Sequence, residues 1–71
     1  MNEEKRLLKL GKKIREIRKD QGVSQLNLSL DAGVNRNYIS DLENGRRNPS
    51  ILVLYRLADA LDVKITDFFT E

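Results

Sequence analysis

The chain has 71 residues with a net charge of +2, about a third of them charged, so it makes a single domain, residues 1–71, with no room for a second function of any size. It has no cysteine and no histidine. That removes disulfides, thiolate nucleophiles, zinc knuckles, the commonest general base and the commonest metal ligand, and no cofactor is expected. The longest apolar runs, 51–55 and Leu7 with Leu8, are far too short to span a bilayer, and the Met-Asn-Glu-Glu start is unlike a signal peptide; a cytoplasmic protein without a membrane partner is expected.

Charge is unevenly placed. Residues 1–20 carry eight basic and four acidic side chains, residues 21–47 three of each, and residues 48–71 two basic and four acidic. A basic half facing a polyanion and a half facing elsewhere is compatible with this, though ordinary soluble proteins also show such asymmetry.

In chain order, the first predicted helix runs from Glu3 to about Gln21, with Glu3 and Glu4 at its positive end. Leu7, Leu10, Ile14 and Ile17 form its apolar stripe. Gly11 lowers helix propensity by about 1 kcal/mol relative to alanine, which points to a neighbouring backbone passing close by. Lys5, Lys9, Lys12, Lys13, Arg15 and Lys19 cover the remaining surface, as solubilising charge or within reach of phosphates. Gly22 ends the helix, and Val23 is placed to tuck beneath it.

Ser24 caps a second helix, Gln25 to Ala32, which Gly33 stops; Val34 turns inward and Asn35 caps a third, Arg36 to Asn44, closed by Gly45. At about 100° per residue, Arg36, Asn37, Ser40, Asp41 and Asn44 share one polar arc of roughly 140°. Ile39 and Leu42, flanked by Tyr38, point the other way. A solvated surface is the plain reading of such an arc. Its side chains nevertheless carry base-reading chemistry: arginine matches guanine, asparagine matches adenine, and aspartate accepts from cytosine N4.

The stretch from Ser24 to Ser50 resembles the Cro/C1-type (XRE) helix-turn-helix family. Ser-Gln opens the first of its helices, Ala-Gly-Val forms the turn, Tyr-Ile-Ser lies in the second, and Leu-Glu-Asn-Gly is followed by Arg-Arg-Asn-Pro-Ser. The likeness extends from about Leu10 to Phe69, and the combined spacing is specific where each short piece alone is weak. The Arg-Asn-Tyr-Ile-Ser and Arg-Arg-Asn segments are also similar to the small controller proteins of restriction-modification systems.

The resemblance implies an all-α, five-helix, lambda-repressor-like DNA-binding domain, with the helix-turn-helix at about 25–44. It implies that Gln25 and the loop of Asn44, Arg46, Arg47 and Asn48 hold the DNA backbone. Arg36, Asn37, Ser40 and Asp41 then face the bases, with Tyr38 either at the groove edge or a half-buried packing residue. It also implies a buried ion pair between Arg18 and Glu43. Asp41 is a departure, since many relatives carry a basic residue or glutamine there; it is left to hold Arg36 or Asn37 in position, or to read a cytosine. Ser29 stands where the family usually has alanine, and Leu26 and Leu30 where it is usually polar. Either the first helix covers these leucines through Leu7 or Leu8, or they form a partner patch.

The lone proline, Pro49, marks a loop, and Ser50 caps a fourth helix reaching about Leu61. Ile51, Leu54, Leu57, Ala58 and Leu61 form its core stripe, leaving Leu52, Val53 and Tyr55 over. Asp62 occupies a turn position often held by glycine or asparagine, and a last short helix holds Ile65, Phe68 and Phe69. The surplus apolar residues make either a generous core or, as the resemblance implies, a homodimer interface of Leu52, Val53, Tyr55, Val63, Ile65 and Phe69. The expected function is sequence-specific binding of a palindromic double-stranded DNA operator by a homodimeric repressor or autoregulator. The alternative is a DNA-binding antitoxin or interaction module holding a toxin or other regulatory protein. No enzyme is expected, since the only candidate acids are carboxylates such as Asp41 and Glu43, and no pocket-forming set or phosphate-cradling glycine loop accompanies them. A domain this small is also not expected to enclose a small-molecule ligand.

Overall fold

The computed structural model describes residues 2–70. Four α-helices follow in order, α1 (Glu3–Asp20), α2 (Gln25–Ala32), α3 (Arg36–Glu43) and α4 (Ile51–Ala60), and a 3-10 helix, Ile65–Phe69, ends the series. No strand occurs among the described residues. The expected fifth α-helix is therefore a correction. The segment has only five residues, one of them buried, Phe68, and it is held by local bonds from the Lys64 N–H to the Asp67 carboxylate, 3.1 Å, and from the Asp67 N–H to the Lys64 carbonyl, 2.9 Å. So short a segment settles in the tighter helix, which forms readily in pieces of this length.

Each α-helix starts on a side chain that accepts a first-turn N–H. Asn2 accepts from Lys5, Ser24 from Asn27, Asn35 from Asn37 and Ser50 from Val53, at 2.7 to 3.2 Å. Such caps contribute about 1 kcal/mol each. The ends are equally local. At the close of α1 the Gly22 N–H reaches the Lys19 carbonyl and the Val23 N–H the Arg18 carbonyl, with Gly22 at φ +71°. Asp62, at φ +55°, makes the same left-handed turn after α4, and the Val63 N–H bonds the Ala58 carbonyl at 3.0 Å.

The core joins Leu10 and Ile14 of α1, Leu28 and Ala32 of α2, Ile39 and Leu42 of α3, and Leu54, Leu57, Ala58, Leu61 and Phe68. Gly11 explains how α1 meets α3, because a Cβ there would fall on the Leu42 carbonyl oxygen. Gln21 ties the far end of α1 to α4, donating from Nε2 to the Leu61 carbonyl at 2.7 Å. Ser29 is buried and donates to the Leu26 carbonyl of its own helix at 2.6 Å, which lets it stand at a close helix approach.

Two expectations about apolar residues are corrected. Ile51 does not join the core but is 57% exposed, because it is the first residue of α4 and the buried face begins at Leu54. Leu26 and Leu30 are not covered by α1 and stay 49% and 71% exposed. Helix α1 is committed to α3 and to the 3-10 helix, and Leu8 lies over Gly45 instead. The surplus residues of α4 divide: Val53, with Val63 and Ile65 beyond the helix, packs partly against the core, whereas Leu52, Tyr55 and Phe69 are exposed.

Candidate nucleic-acid interface

The α2–α3 pair is joined by three residues, Gly33, Val34 and Asn35. Gly33 takes φ +67°, so the Val34 N–H can return to the Ser29 carbonyl at 3.1 Å while its side chain packs against the core. Asn35 then accepts from the Asn37 N–H, which starts α3 in a new direction. Ile39, Leu42 and Glu43 face inward, and Arg36, Asn37 and Asn44 are exposed with Ser40 and Asp41 half-buried. The polar arc read from the sequence thus lies on the open side of α3. Asn44 falls just past the helix as its C-cap, with its side-chain amide donating to the Ser40 carbonyl at 2.8 Å.

Beneath α3, three polar side chains form a closed set. Arg18 donates from Nε to Glu43 Oε2 at 2.7 Å, from one terminal nitrogen to Oε1 at 2.9 Å, and from the other to the Val23 carbonyl at 2.8 Å. Hydrogen bonding to Glu43 raises the guanidinium pKa above its ordinary value, against a lowering by burial. Gln25 completes the set, donating from Nε2 to Glu43 Oε1 at 3.0 Å. One of the two Nε2 hydrogens is thereby used.

Asp41 does not hold Arg36 or Asn37 in position, the first of the two arrangements read in the sequence; its Oδ2 lies 3.9 Å from Arg47 Nε. The Arg47 guanidinium sits over the Tyr38 ring, 4.8 Å from its centre, and Tyr38 packs in turn against the core. Tyr38 is therefore a half-buried packing residue that also supports a loop cation. Gly45, at φ +73°, makes this proximity possible: the Arg46 N–H returns to the Asp41 carbonyl at 2.8 Å, folding the loop back along α3. Arg46, Arg47 and Asn48 are exposed on that loop. Gln25, bonded to Glu43 at the last residue of α3, and the loop after Gly45 both lie toward the C-terminal end of α3.

Elsewhere, Ile51, Leu52 and Tyr55 lie within about 100° of one another around α4 and are all exposed. An open groove of about 520 Å³ runs between α1 and the 3-10 helix, with Arg6, Leu7, Leu10, Phe68 and Phe69 among its walls.

Two short helices joined through a left-handed glycine, the second presenting polar side chains outward and clamped from behind, define a helix-turn-helix protein. The chain belongs to the HTH_3 helix-turn-helix family, whose profile matches residues 14–68. It is similar to the uncharacterized HTH-type transcriptional regulator y4dJ of Sinorhizobium fredii, 36% identical over 61 residues that make up 86% of this chain and 79% of that protein. Among solved structures it is similar to the restriction-modification controller protein C.AhdI of Aeromonas hydrophila, at 38% identity and TM-score 0.88, over 89% of this chain and 96% of the other. It is also similar to the controller C.Esp1396I, solved as a tetramer on its natural 35 base-pair operator, at 33% identity and TM-score 0.81, over 89% and 83% of the two chains. No helix of the described residues is long and apolar enough to cross a membrane.

Proposed function

We propose that this protein is a sequence-specific, double-stranded DNA-binding transcriptional regulator, a repressor or autoregulator of its own promoter, acting in the cytoplasm. Helix α3 enters the major groove; Arg36, Asn37, Ser40 and Asp41 face base edges, while Gln25, Asn44, Arg46, Arg47 and Asn48 hold the flanking backbone. The observation that carries this reading is the clamp of Arg18, Glu43 and Gln25, which fixes the inner side of α3 and leaves its polar side open. Two copies pair through the exposed apolar side of α4 and the segment after it, Leu52, Tyr55 and Phe69 with Val63, Val53 and Ile65 at the margin. Pairing of this kind sets two recognition helices about 34 Å apart, one turn of DNA, facing a palindromic site.

Selection from a random duplex library followed by footprinting tests this. Enrichment of two inverted half-sites centred about ten base pairs apart is expected. Recovery of nothing better than random duplex in dilute salt overturns it.

The exposure of Leu26 and Leu30 favours a second role alongside the first, in which α2 holds a partner protein such as a toxin or another regulator. Copurification from the native host separates the two: a stoichiometric partner lost on Leu30→Gln supports the second role, and a chain recovered only with itself removes it.

A further inference from the structure

We propose that Asp41 and Arg47 form an exchangeable ion pair that discriminates against non-cognate DNA: Arg47 leaves Asp41 for a DNA acceptor, and only a cognate site offers Asp41 a donor in return. This rests on the DNA-binding reading above.

The placement of the two residues carries it. Asp41 lies two residues before the end of α3, where the helix dipole disfavours a negative charge, and on the side of α3 proposed to face a polyanion. A carboxylate there needs a compensating cation. The loop supplies one: the bond from the Arg46 N–H to the Asp41 carbonyl brings the chain back on itself, and Arg47 comes to rest between the Asp41 carboxylate and the Tyr38 ring. The hold is loose by design of distance, since 3.9 Å is at the outer limit of an ion pair and both side chains are about half exposed. A phosphate or guanine oxygen can make the shorter, charge-assisted bond and displace it.

Displacement leaves Asp41 facing the duplex alone. Opposite a cytosine it accepts from the N4 amino group, and the exchange is balanced. The adenine N6 amino group is the other donor the groove offers; opposite guanine or thymine the carboxylate meets acceptors and phosphates, and the lost pairing with Arg47 is not replaced. Tyr38 keeps the released guanidinium close to α3, so Asp41 acts on DNA partly through Arg47 and is in that respect a positioning residue.

The test is a double-mutant cycle of Asp41→Asn and Arg47→Gln, read as the dissociation constant for a 30 base-pair duplex of random sequence at fixed low salt. Melting temperature checks the fold, and both substitutions, at half-exposed side chains, are expected to leave it within about 2 °C. Asp41→Asn is expected to tighten random-duplex binding about threefold more in the parent than in the Arg47→Gln background, the scale of an exposed ion pair. For the half-sites recovered by selection, the parent is expected to require a base with a major-groove amino group, cytosine or adenine, opposite Asp41, and Asp41→Asn to lose that requirement. An equal gain in both backgrounds shows charge repulsion alone and overturns the proposal, as does weakened random-duplex binding by Asp41→Asn. Absence of binding to any duplex by all four forms overturns the DNA-binding reading itself, and the proposal with it.

Discussion

Arg18, in the last turn of α1, and Glu43, the last residue of α3, are locked by two parallel hydrogen bonds of 2.7 and 2.9 Å, although 25 positions separate them in the chain. The pair is nearly closed to solvent. It sets the tilt of α3 against α1, and through Gln25 it also sets the start of α2. Such a pair fixes an orientation more than it adds net stability, but removing one partner strands a buried charge at about 3 to 5 kcal/mol. Arg18→Ala is expected to lower the melting temperature by 10 °C or more, on the order of 4–8 °C per kcal/mol for a domain of this size, and to weaken DNA binding in parallel. Loss of binding with unchanged melting would instead make Arg18 a direct DNA contact. The raised guanidinium pKa implies that, on Arg18's side, the contribution is present at all lower pH and is lost only as pH rises through the folded-state value, above the ordinary arginine range.

Gly11 provides the second constraint on the same contact. Alanine would raise helix propensity by about 1 kcal/mol, but its methyl would meet the Leu42 carbonyl, a backbone atom that can yield only by moving α3. Gly11→Ala is therefore expected to destabilise by about 2 kcal/mol, the scale of overpacking a tight contact. Urea unfolding measures it; a stabilised variant would mean that α1 and α3 separate freely.

Leu52, on α4, is exposed and stands off the core. Leu52→Glu is expected to shift sedimentation at tens of micromolar from dimer to monomer while leaving helical content intact. Parent protein that sediments as a monomer with and without DNA would remove the two-fold arrangement.

Arg46 is exposed, and its main-chain N–H bonds the Asp41 carbonyl. As a phosphate-neutralising residue it contributes to counterion release, so Arg46→Gln is expected to lower the slope of log affinity against log salt by about 0.9. An unchanged slope with altered sequence preference would move Arg46 from the backbone to a base edge.

Local chemistry alone specified much of this protein. Asn35 and Ser50 start their helices, Gly22, Gly33 and Gly45 end theirs in the left-handed conformation, and the apolar repeats of α1 and α3 point inward, because each of these depends on neighbours within four or five positions. The Gly11 contact was legible for a related reason: a glycine inside a helix costs enough that close packing is its natural explanation. The Arg18–Glu43 pair was legible only through family likeness, since nothing local joins residues so far apart. Three-dimensional packing decided the rest. Whether Leu26, Leu30 and Ile51 are covered depends on which way α1 and α4 lean, and whether Asp41 meets Arg36 or Arg47 depends on the return of the loop after Gly45. Periodicity shows which residues share a face of one helix; only the assembled helices determine which faces meet, because burial is a property of the neighbour as much as of the residue.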